Sequence, residues 1–150
     1  MAITSAICNS FKQEILEAEH NFTNGQDTFK IALIKAQASQ TGTYSASTTN
    51  YTDVTGNSDE LANGSGYTTG GNTLSSVTPT LDGTTAICDF ANTSWSSSTF
   101  TTRGCIIYNT SNSNAAVMVL DFGADYSVSN GTFTIEFPTA DASNAIIRIS

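Results

Sequence analysis

The stretch TTRGCIIYNTSNSNAAVMVLDF, Thr101–Phe122, holds two β-branched and apolar runs separated by a short polar segment. The runs Thr101–Tyr108 and Ala115–Phe122 have the length and composition of strands. Between them, Asn109–Asn114 consists of small polar residues that are common in turns. The stretch therefore predicts two strands joined by a turn, the repeating unit of an antiparallel sheet.

Strands of the same character are predicted along the rest of the chain. We place them at Asp27–Ala36, Thr73–Thr78, Thr84–Phe90, Thr132–Phe137 and Ala145–Ile149. The predicted turns between them lie at Pro79, Asp82-Gly83, Ser94–Ser98, Asp125–Gly131 and Pro138–Asn144. Short strands that recur without intervening helices favour an all-β fold, an antiparallel β-sandwich of jelly-roll-like type, over βαβ units.

Two segments depart from this strand pattern. Residues 5–19 carry Ile7, Phe11 and Ile15 at helical spacing, which predicts one N-terminal α-helix. Residues 37–66 are rich in Thr, Ser and Asn, and we predict a long surface loop there, with a pair of short strands as the alternative. Apolar side chains that can anchor this loop are Tyr44, Tyr51, Val54 and Leu61. The length of 150 residues predicts a single domain over 1–150.

The charge balance excludes several classes of partner. Thirteen acidic residues oppose five basic ones, which gives a net charge of −8. A nucleic-acid or anionic membrane surface requires clustered Lys and Arg, so we expect neither partner. Thr, Ser and Asn supply 56 of the 150 residues. Such an uncharged polar surface packs against other proteins at a lower desolvation cost than Lys or Glu, which favours a protein that works within an assembly. We see no secretory signal in the first twenty residues.

The nucleophiles and the histidine give no catalytic pattern. Cys8, Cys88 and Cys105 form an odd set without metal-binding spacing. We expect buried free thiols, and a bridge between Cys88 and Cys105 is the alternative. His20 is the sole histidine. It is expected at the C-terminal end of the helix, where it interacts with the dipole.

The acidic residues allow two weaker hypotheses. Asp89, Asp121 and Glu136 lie at or inside predicted strands and are the candidates for a glycoside hydrolase, although solvent-facing positions are favoured. Calcium ligands in the long loop are conceivable from Asp53, Asp59 and Glu60, without an EF-hand pattern.

Three further motifs have structural interpretations. Trp95 is expected in the core, and an exposed aromatic for sugar or protein contact is the alternative. The kinase-like tripeptide Asp121-Phe122-Gly123 lacks the accompanying kinase motifs, and the glycines at 64, 66, 70 and 71 fit no phosphate loop. We therefore predict no catalytic, cofactor-binding or metal-ligating residues, no cofactor and no enzyme activity.

Seven segments together carry a resemblance to a known family. They are AICNSFKQEIL (Ala6–Leu16), HNFTNGQDTFKIAL (His20–Leu33), GYTTGGNTL (Gly66–Leu74), VTPTLDGTTAICDF (Val77–Phe90), RGCIIYN (Arg103–Asn109), VLDFG (Val119–Gly123) and GTFTIEFPTADASNAIIRI (Gly131–Ile149). In these segments the chain resembles small structural proteins of tailed-bacteriophage virions, common in cyanophages, of the capsid decoration or cement type.

The resemblance implies a virion protein on the outer capsid surface, made in the host cytoplasm. Its expected partners are the major capsid protein and further copies of itself, with a trimer as one form. The alternative is a tail-associated or receptor-binding β module whose long loop and Trp95 contact a host glycan. A glycan hydrolase that uses Asp89 or Glu136 is a third hypothesis.

Overall fold

The strands of this protein form two antiparallel sheets, as a computed structural model that describes residues 2–150 shows. In chain order they are β1 (Ala6–Ile7), β2 (Phe29–Lys35), β3 (Asn72–Thr73), β4 (Ser76–Asp82), β5 (Thr85–Phe90), β6 (Thr93–Asn109), β7 (Ala115–Ile135) and β8 (Ile147–Ile149). The first sheet has the order β1-β7-β6-β2-β3 and the second has β4-β5-β8. Every pairing between these strands is antiparallel.

One hydrophobic core joins the two sheets. It contains Ile31 and Ile106 of the first sheet together with Phe90 and Ile147 of the second. The rings of Phe29 and Phe90, one from each sheet, lie 5.9 Å apart between centroids. The predicted all-β, antiparallel sandwich is therefore confirmed.

The hairpin of β6 and β7 is longer than predicted and bends back on itself. The expected turns at Ser94–Ser98 and Asp125–Gly131 are wrong, because both segments lie inside the two strands. The turn-forming residues are accommodated as bulges, with positive φ at Ser97 and Asn130 and with register shifts in the ladder. Gly and Asn favour a bulge as readily as a turn, so sequence alone does not separate the two.

The bend brings distant parts of β7 together. Thr102 pairs with Tyr126 and Gly104 pairs with Asp121, so four residues of β7 lie opposite Arg103. The rings of Phe122 and Phe133 are 6.1 Å apart, whereas eleven residues of straight strand would separate them by roughly 36 Å.

The N-terminal helix α1 spans Asn9–Leu16, which is shorter than the predicted 5–19. It begins late because β1 pairs with Val119 and Met118 of β7, which holds the preceding residues extended. It ends early because Ala18 has a left-handed backbone, with φ 61°. The helix is thus packed against its own sheet, and Phe11 is buried there.

The second sheet has three strands, and its edge strand β4 is exposed to solvent. The predicted strand Thr73–Thr78 is divided into β3 and β4, and Pro79 lies within β4 rather than in a turn. The ladder shifts register between Val77 and Thr80, which removes the need for the backbone N–H that proline lacks. The predicted turn at Asp82-Gly83 joins β4 to β5, and Gly83 has φ 62°.

The segment 37–66 carries more structure than a loop. It contains a 3-10 turn at Gln37–Ser39 and a second short helix, α2 (Thr52–Gly56), which was not predicted. Tyr44, Val54 and Leu61 are buried, and they anchor the segment as expected from the sequence.

Candidate functional site

The carboxylate of Asp59 is a hydrogen-bond centre for the start of this segment. It accepts hydrogen bonds from the backbone N–H groups of Thr41 and Gly42, at 2.9 and 2.7 Å, and from the Tyr44 hydroxyl at 2.5 Å. Burial acts to raise the pKa of Asp59, but the hydroxyl and N–H donors outweigh it and hold the pKa below its ordinary value. Burial, together with the neighbouring carboxylate, raises the pKa of Tyr44, so the phenol remains a donor.

Glu60 forms a second centre on the adjacent residue. Its Oε1 accepts hydrogen bonds from Tyr67 at 2.7 Å and from the Gly70 N–H at 2.6 Å, and its Oε2 accepts one from Tyr51 at 2.5 Å. Burial and the Glu60 charge raise the pKa of Tyr67 and Tyr51, and the same causes raise that of Tyr108 to about 12. The Tyr67 hydroxyl also accepts a hydrogen bond from the Leu33 N–H of β2 at 3.0 Å, so the cluster joins the segment to the sheet.

The structure does not bring Asp53, Asp59 and Glu60 together as one set of calcium ligands. Asp53 accepts hydrogen bonds from Thr49 in the first turn before α2, while Asp59 and Glu60 bind the separate donor sets described above. No group of three or more potential metal ligands occurs within residues 2–150. The segment has few apolar side chains at regular spacing, and hydrogen bonds to the buried carboxylates hold it in place instead.

The three strand carboxylates that we singled out have different environments. Asp89 is buried, and its two oxygens accept the N–H groups of Phe90 and Ile146, at 2.8 and 3.4 Å. Burial raises the pKa of Asp89 more than these N–H donors lower it. Asp121 and Glu136, in contrast, line one shared groove on the outside of β7.

Asp121 of this groove is already paired. Its Oδ1 accepts a hydrogen bond from Arg103 Nε at 2.6 Å, and its Oδ2 accepts one from Arg103 Nη2 at 3.3 Å. The guanidinium holds the pKa of Asp121 below its usual range. The following Gly123 donates its N–H to Oδ1 at 3.0 Å, so the Asp-Phe-Gly tripeptide forms a bulge, as a structural interpretation requires.

The placement of His20 differs from the prediction. It lies four residues beyond the end of α1, outside the last helical turn, and it is buried. Its Nδ1 is 3.0 Å from the Asn109 amide and its Nε2 is 2.7 Å from Glu14. With the amide as donor to Nδ1, the proton lies on Nε2 and points at the Glu14 carboxylate. The residue therefore links the helix to the β6–β7 turn.

The cysteines and the tryptophan follow the favoured predictions. Cys8, Cys88 and Cys105 are free and buried, so the alternative bridge is absent. Burial raises the pKa of Cys8 and Cys88 to about 12 and also raises that of Cys105, which keeps the thiols protonated and unreactive. Trp95 is 4% exposed and packs near Tyr67, in the core rather than on a contact surface.

The glycines at 64 to 71 shape a turn that approaches the sheet closely. Gly71 has φ 72°, and a β-carbon there would collide with the carbonyl of Ile31. Gly66 has φ 85°, and a β-carbon there would collide with Ser98. Gly66 and Gly71 therefore serve backbone packing, in agreement with the sequence interpretation.

Two grooves open on the surface of the molecule. The first, the aliphatic groove, has a volume of about 420 Å³ and lies between α1 and the second sheet. Its lining includes Phe11, Ile15, Leu16, Ile147 and Ile149, with the cations Lys12 and Arg148. The second, the aromatic groove, has about 410 Å³ and lies along the bend of β7. It is lined by Phe122, Tyr126, Phe133 and Phe137, with the carboxylates Asp121 and Glu136.

Large apolar side chains project into solvent at several places. Leu16 is 88% exposed, Leu81 is 73% exposed and Ile149 is 61% exposed. Tyr126 is 50% exposed at the edge of the aromatic groove. Sequence analysis missed these positions, because an apolar residue in a strand or helix pattern is assigned to the core unless the neighbouring elements are known.

Comparisons of this chain with protein-family models, with curated proteins and with solved structures found no match. Among residues 2–150, neither helix has the length and apolar content needed to cross a bilayer. The functional interpretation therefore depends on the surface of the molecule and on the sequence resemblance.

Proposed function

We propose that this chain is a structural protein of a tailed-bacteriophage particle, a decoration protein that binds the major capsid protein on the outer face of the head. The seven segments that resemble such virion proteins cover most of the chain outside residues 37–66. The role needs no reacting group in the protein. It requires a stable body that presents a complementary surface to the shell.

The observation that carries the proposal is the exposed strand β4. All but the first of its seven residues are exposed, and Val77 and Leu81 project from it at 41% and 73% exposure. Hydroxyl-bearing residues and one proline supply the rest of the strand up to Asp82. A neighbouring protein that covers this surface buries apolar area and desolvates a single charge.

The backbone of β4 directs contact through side chains. It is an edge strand, because β5 is its only neighbour in the sheet. Pro79 interrupts the outer row of hydrogen-bonding groups, which disfavours addition of a strand from another chain. The partner therefore contacts the side chains of Val77, Leu81 and the intervening Thr residues rather than the unpaired backbone groups at the edge of the sheet.

A protein that binds only the expanded shell stabilises it by linkage, by about 2.7 kcal/mol per site at a concentration one hundred times Kd.

The tail-associated alternative named Trp95 as one of its glycan contacts, and the structure does not support that contact. Trp95 is buried, and Tyr44, Val54 and Leu61 of the long segment are turned inward. A host glycan would need another surface. Copy number separates the two locations, because a decoration protein is present in hundreds of copies per virion and a tail protein in a few.

The test uses particles of the encoding phage stripped of this protein. We expect the wild-type chain to rebind and to raise the temperature at which the heads rupture, whereas Leu81→Ser loses most of the bound copies. Ile149→Ser is the matched control, since Ile149 is an exposed aliphatic residue outside β4, at 61% exposure against 73% for Leu81. Unchanged binding of Leu81→Ser would refute this surface, and absence of the chain from mature particles would refute the function.

A further inference from the structure

Helix α1 forms one wall of the aliphatic groove, and the rim of that wall, which we call the Lys12–Leu16 ridge, presents an exposed leucine and a cation to solvent. Lys12 and Leu16 are four residues apart, so they lie one above the other on the same helix face, with Ile15 beside them. Leu16 is 88% exposed, and the Lys12 ammonium has one exposed hydrogen bond, to Asn9 at 3.0 Å. The acidic residues of the helix point elsewhere: Glu14 binds His20 and Glu17 binds Gln13.

The aromatic groove has the complementary character. It is concave, and its apolar lining of Phe122, Phe133 and Phe137 carries a carboxylate, Glu136, at the strand end. Asp121 in the same groove is neutralised by Arg103. Glu136 is exposed and has no ion pair or hydrogen-bond partner within residues 2–150. The groove thus offers one uncompensated negative charge beside an apolar surface.

We propose that the Lys12–Leu16 ridge of one copy of this chain docks into the aromatic groove of a second copy. Leu16 and Ile15 enter the apolar groove, and Lys12 faces Glu136. The opposite charges of Lys12 and Glu136 favour the ridge as the segment that occupies the groove. The chain has five basic residues in all, and one of them stands beside its most exposed leucine, while the groove that matches it in polarity and shape carries the free carboxylate.

The two surfaces have no residue in common, so each copy can use both at once. Contact between two different surfaces is heterologous, and it propagates head to tail into a ring or an open chain rather than stopping at a symmetric dimer. A trimer is one closed form. The ridge and groove also differ from the exposed strand β4, so self-association leaves the proposed capsid surface uncovered, and the inference does not depend on that function.

Sedimentation velocity with the full chain in solution tests the contact. We expect wild-type protein to associate with increasing concentration, within a range that extends to about 1 mM. A wild-type chain that remains monomeric throughout this range overturns the proposal.

A charge exchange identifies the two surfaces. Lys12→Glu and Glu136→Lys should each weaken self-association at least about tenfold, because each replaces an attraction by a repulsion. An equimolar mixture of the two variants should associate again, since every contact in an alternating assembly is then between opposite charges. Association that persists in both variants, or a mixture that stays monomeric, overturns the assignment.

Matched controls separate this contact from general effects. Glu19→Lys makes the same charge change outside both surfaces and should leave association unchanged. Leu16→Ser should reduce it, whereas Leu81→Ser, at another exposed leucine, should not. Equal effects of the two leucine variants on association would contradict the proposal that the ridge forms the contact. Failure of particle binding has no bearing on this outcome, because no capsid is present.

Discussion

The segment around Asp59 and Glu60 and the strand β4 have similar compositions, both rich in Thr and Ser, yet they are placed differently. In the first region, polar side chains are buried and each carboxylate is matched by hydroxyl and N–H donors. In the second region, the strand is exposed along most of its length and carries Val77 and Leu81 into solvent. A hydroxyl-rich sequence thus forms an ordered interior where a buried carboxylate accepts its hydrogen bonds, and an exposed strand where no buried carboxylate is present.

The largest expected effect comes from the N-terminal segment, which is hydrogen bonded to the region of Asp59 through the Thr4 N–H and the Tyr44 carbonyl. Deletion of residues 1–20 removes the buried side chains of Ile3, Cys8 and Phe11 and the β1 pairing. At about 2 kcal/mol for each buried apolar side chain, the loss approaches the total stability of a domain of this size. We expect no cooperative thermal unfolding by circular dichroism. A deletion variant that unfolds cooperatively and still binds particles would contradict this placement.

A substitution at Glu60 tests the buried polar region directly. Glu60→Ala leaves the hydroxyls of Tyr51 and Tyr67 and the N–H of Gly70 without an acceptor, and we expect about 3 kcal/mol of destabilisation in urea unfolding. Glu60→Gln retains one oxygen and should cost less. Leu81→Ala, in the exposed region, should change the free energy of unfolding by about 0.5 kcal/mol or less. Equal losses at Glu60 and Leu81 would remove the distinction between the regions.

The smallest effect is on the pH dependence of stability, where Asp59 and Asp89 act with opposite sign. The pKa of Asp59 is lowered by folding, so its contribution is present above the unfolded pKa of about 3.9 and is lost as pH falls through the folded value. The pKa of Asp89 is raised by burial, so its contribution is present below the unfolded pKa and is lost as pH rises through the folded value.

Amide variants separate these contributions in urea unfolding measured from pH 3 to pH 7. Asp59→Asn should lower stability at pH 7 and reduce the acid sensitivity. Asp89→Asn should leave stability at pH 7 equal or higher, because it removes a buried charge and keeps an acceptor oxygen. If both variants changed the free energy of unfolding at pH 7 in the same direction, the opposite roles of the two carboxylates would be contradicted.

The sequence predicted those structural features that follow from a pattern of residue types within a short stretch of chain. Alternation of apolar and β-branched residues located β2, β5 and the core of the β6–β7 hairpin, and the turn at Asp82-Gly83 was recognised from its residue types. The burial of Trp95 and of the three cysteines also followed from residue type. Residue types did not reveal that Ser97 and Asn130 form bulges rather than turns, because both conformations use the same positive φ.

The candidate surfaces were beyond the reach of the sequence for a different reason. Leu16 and Leu81 fit patterns that usually place an apolar side chain inside, and their exposure depends on which elements lie beside them. The aromatic groove unites Phe122 and Phe133 only because the bulge opposite Arg103 turns β7 back on itself.

By itself, the sequence determined the all-β class, the presence of an N-terminal helix and the acidic, cation-poor character of the molecule, since these follow from periodicity within a few residues and from composition. Only the tertiary structure decided that Asp59 and Glu60 are buried hydrogen-bond centres, that Asp121 pairs with Arg103 while Glu136 stays free, and that β4 faces solvent. Each of these depends on contacts between residues distant in the chain, whose pairing no local pattern encodes.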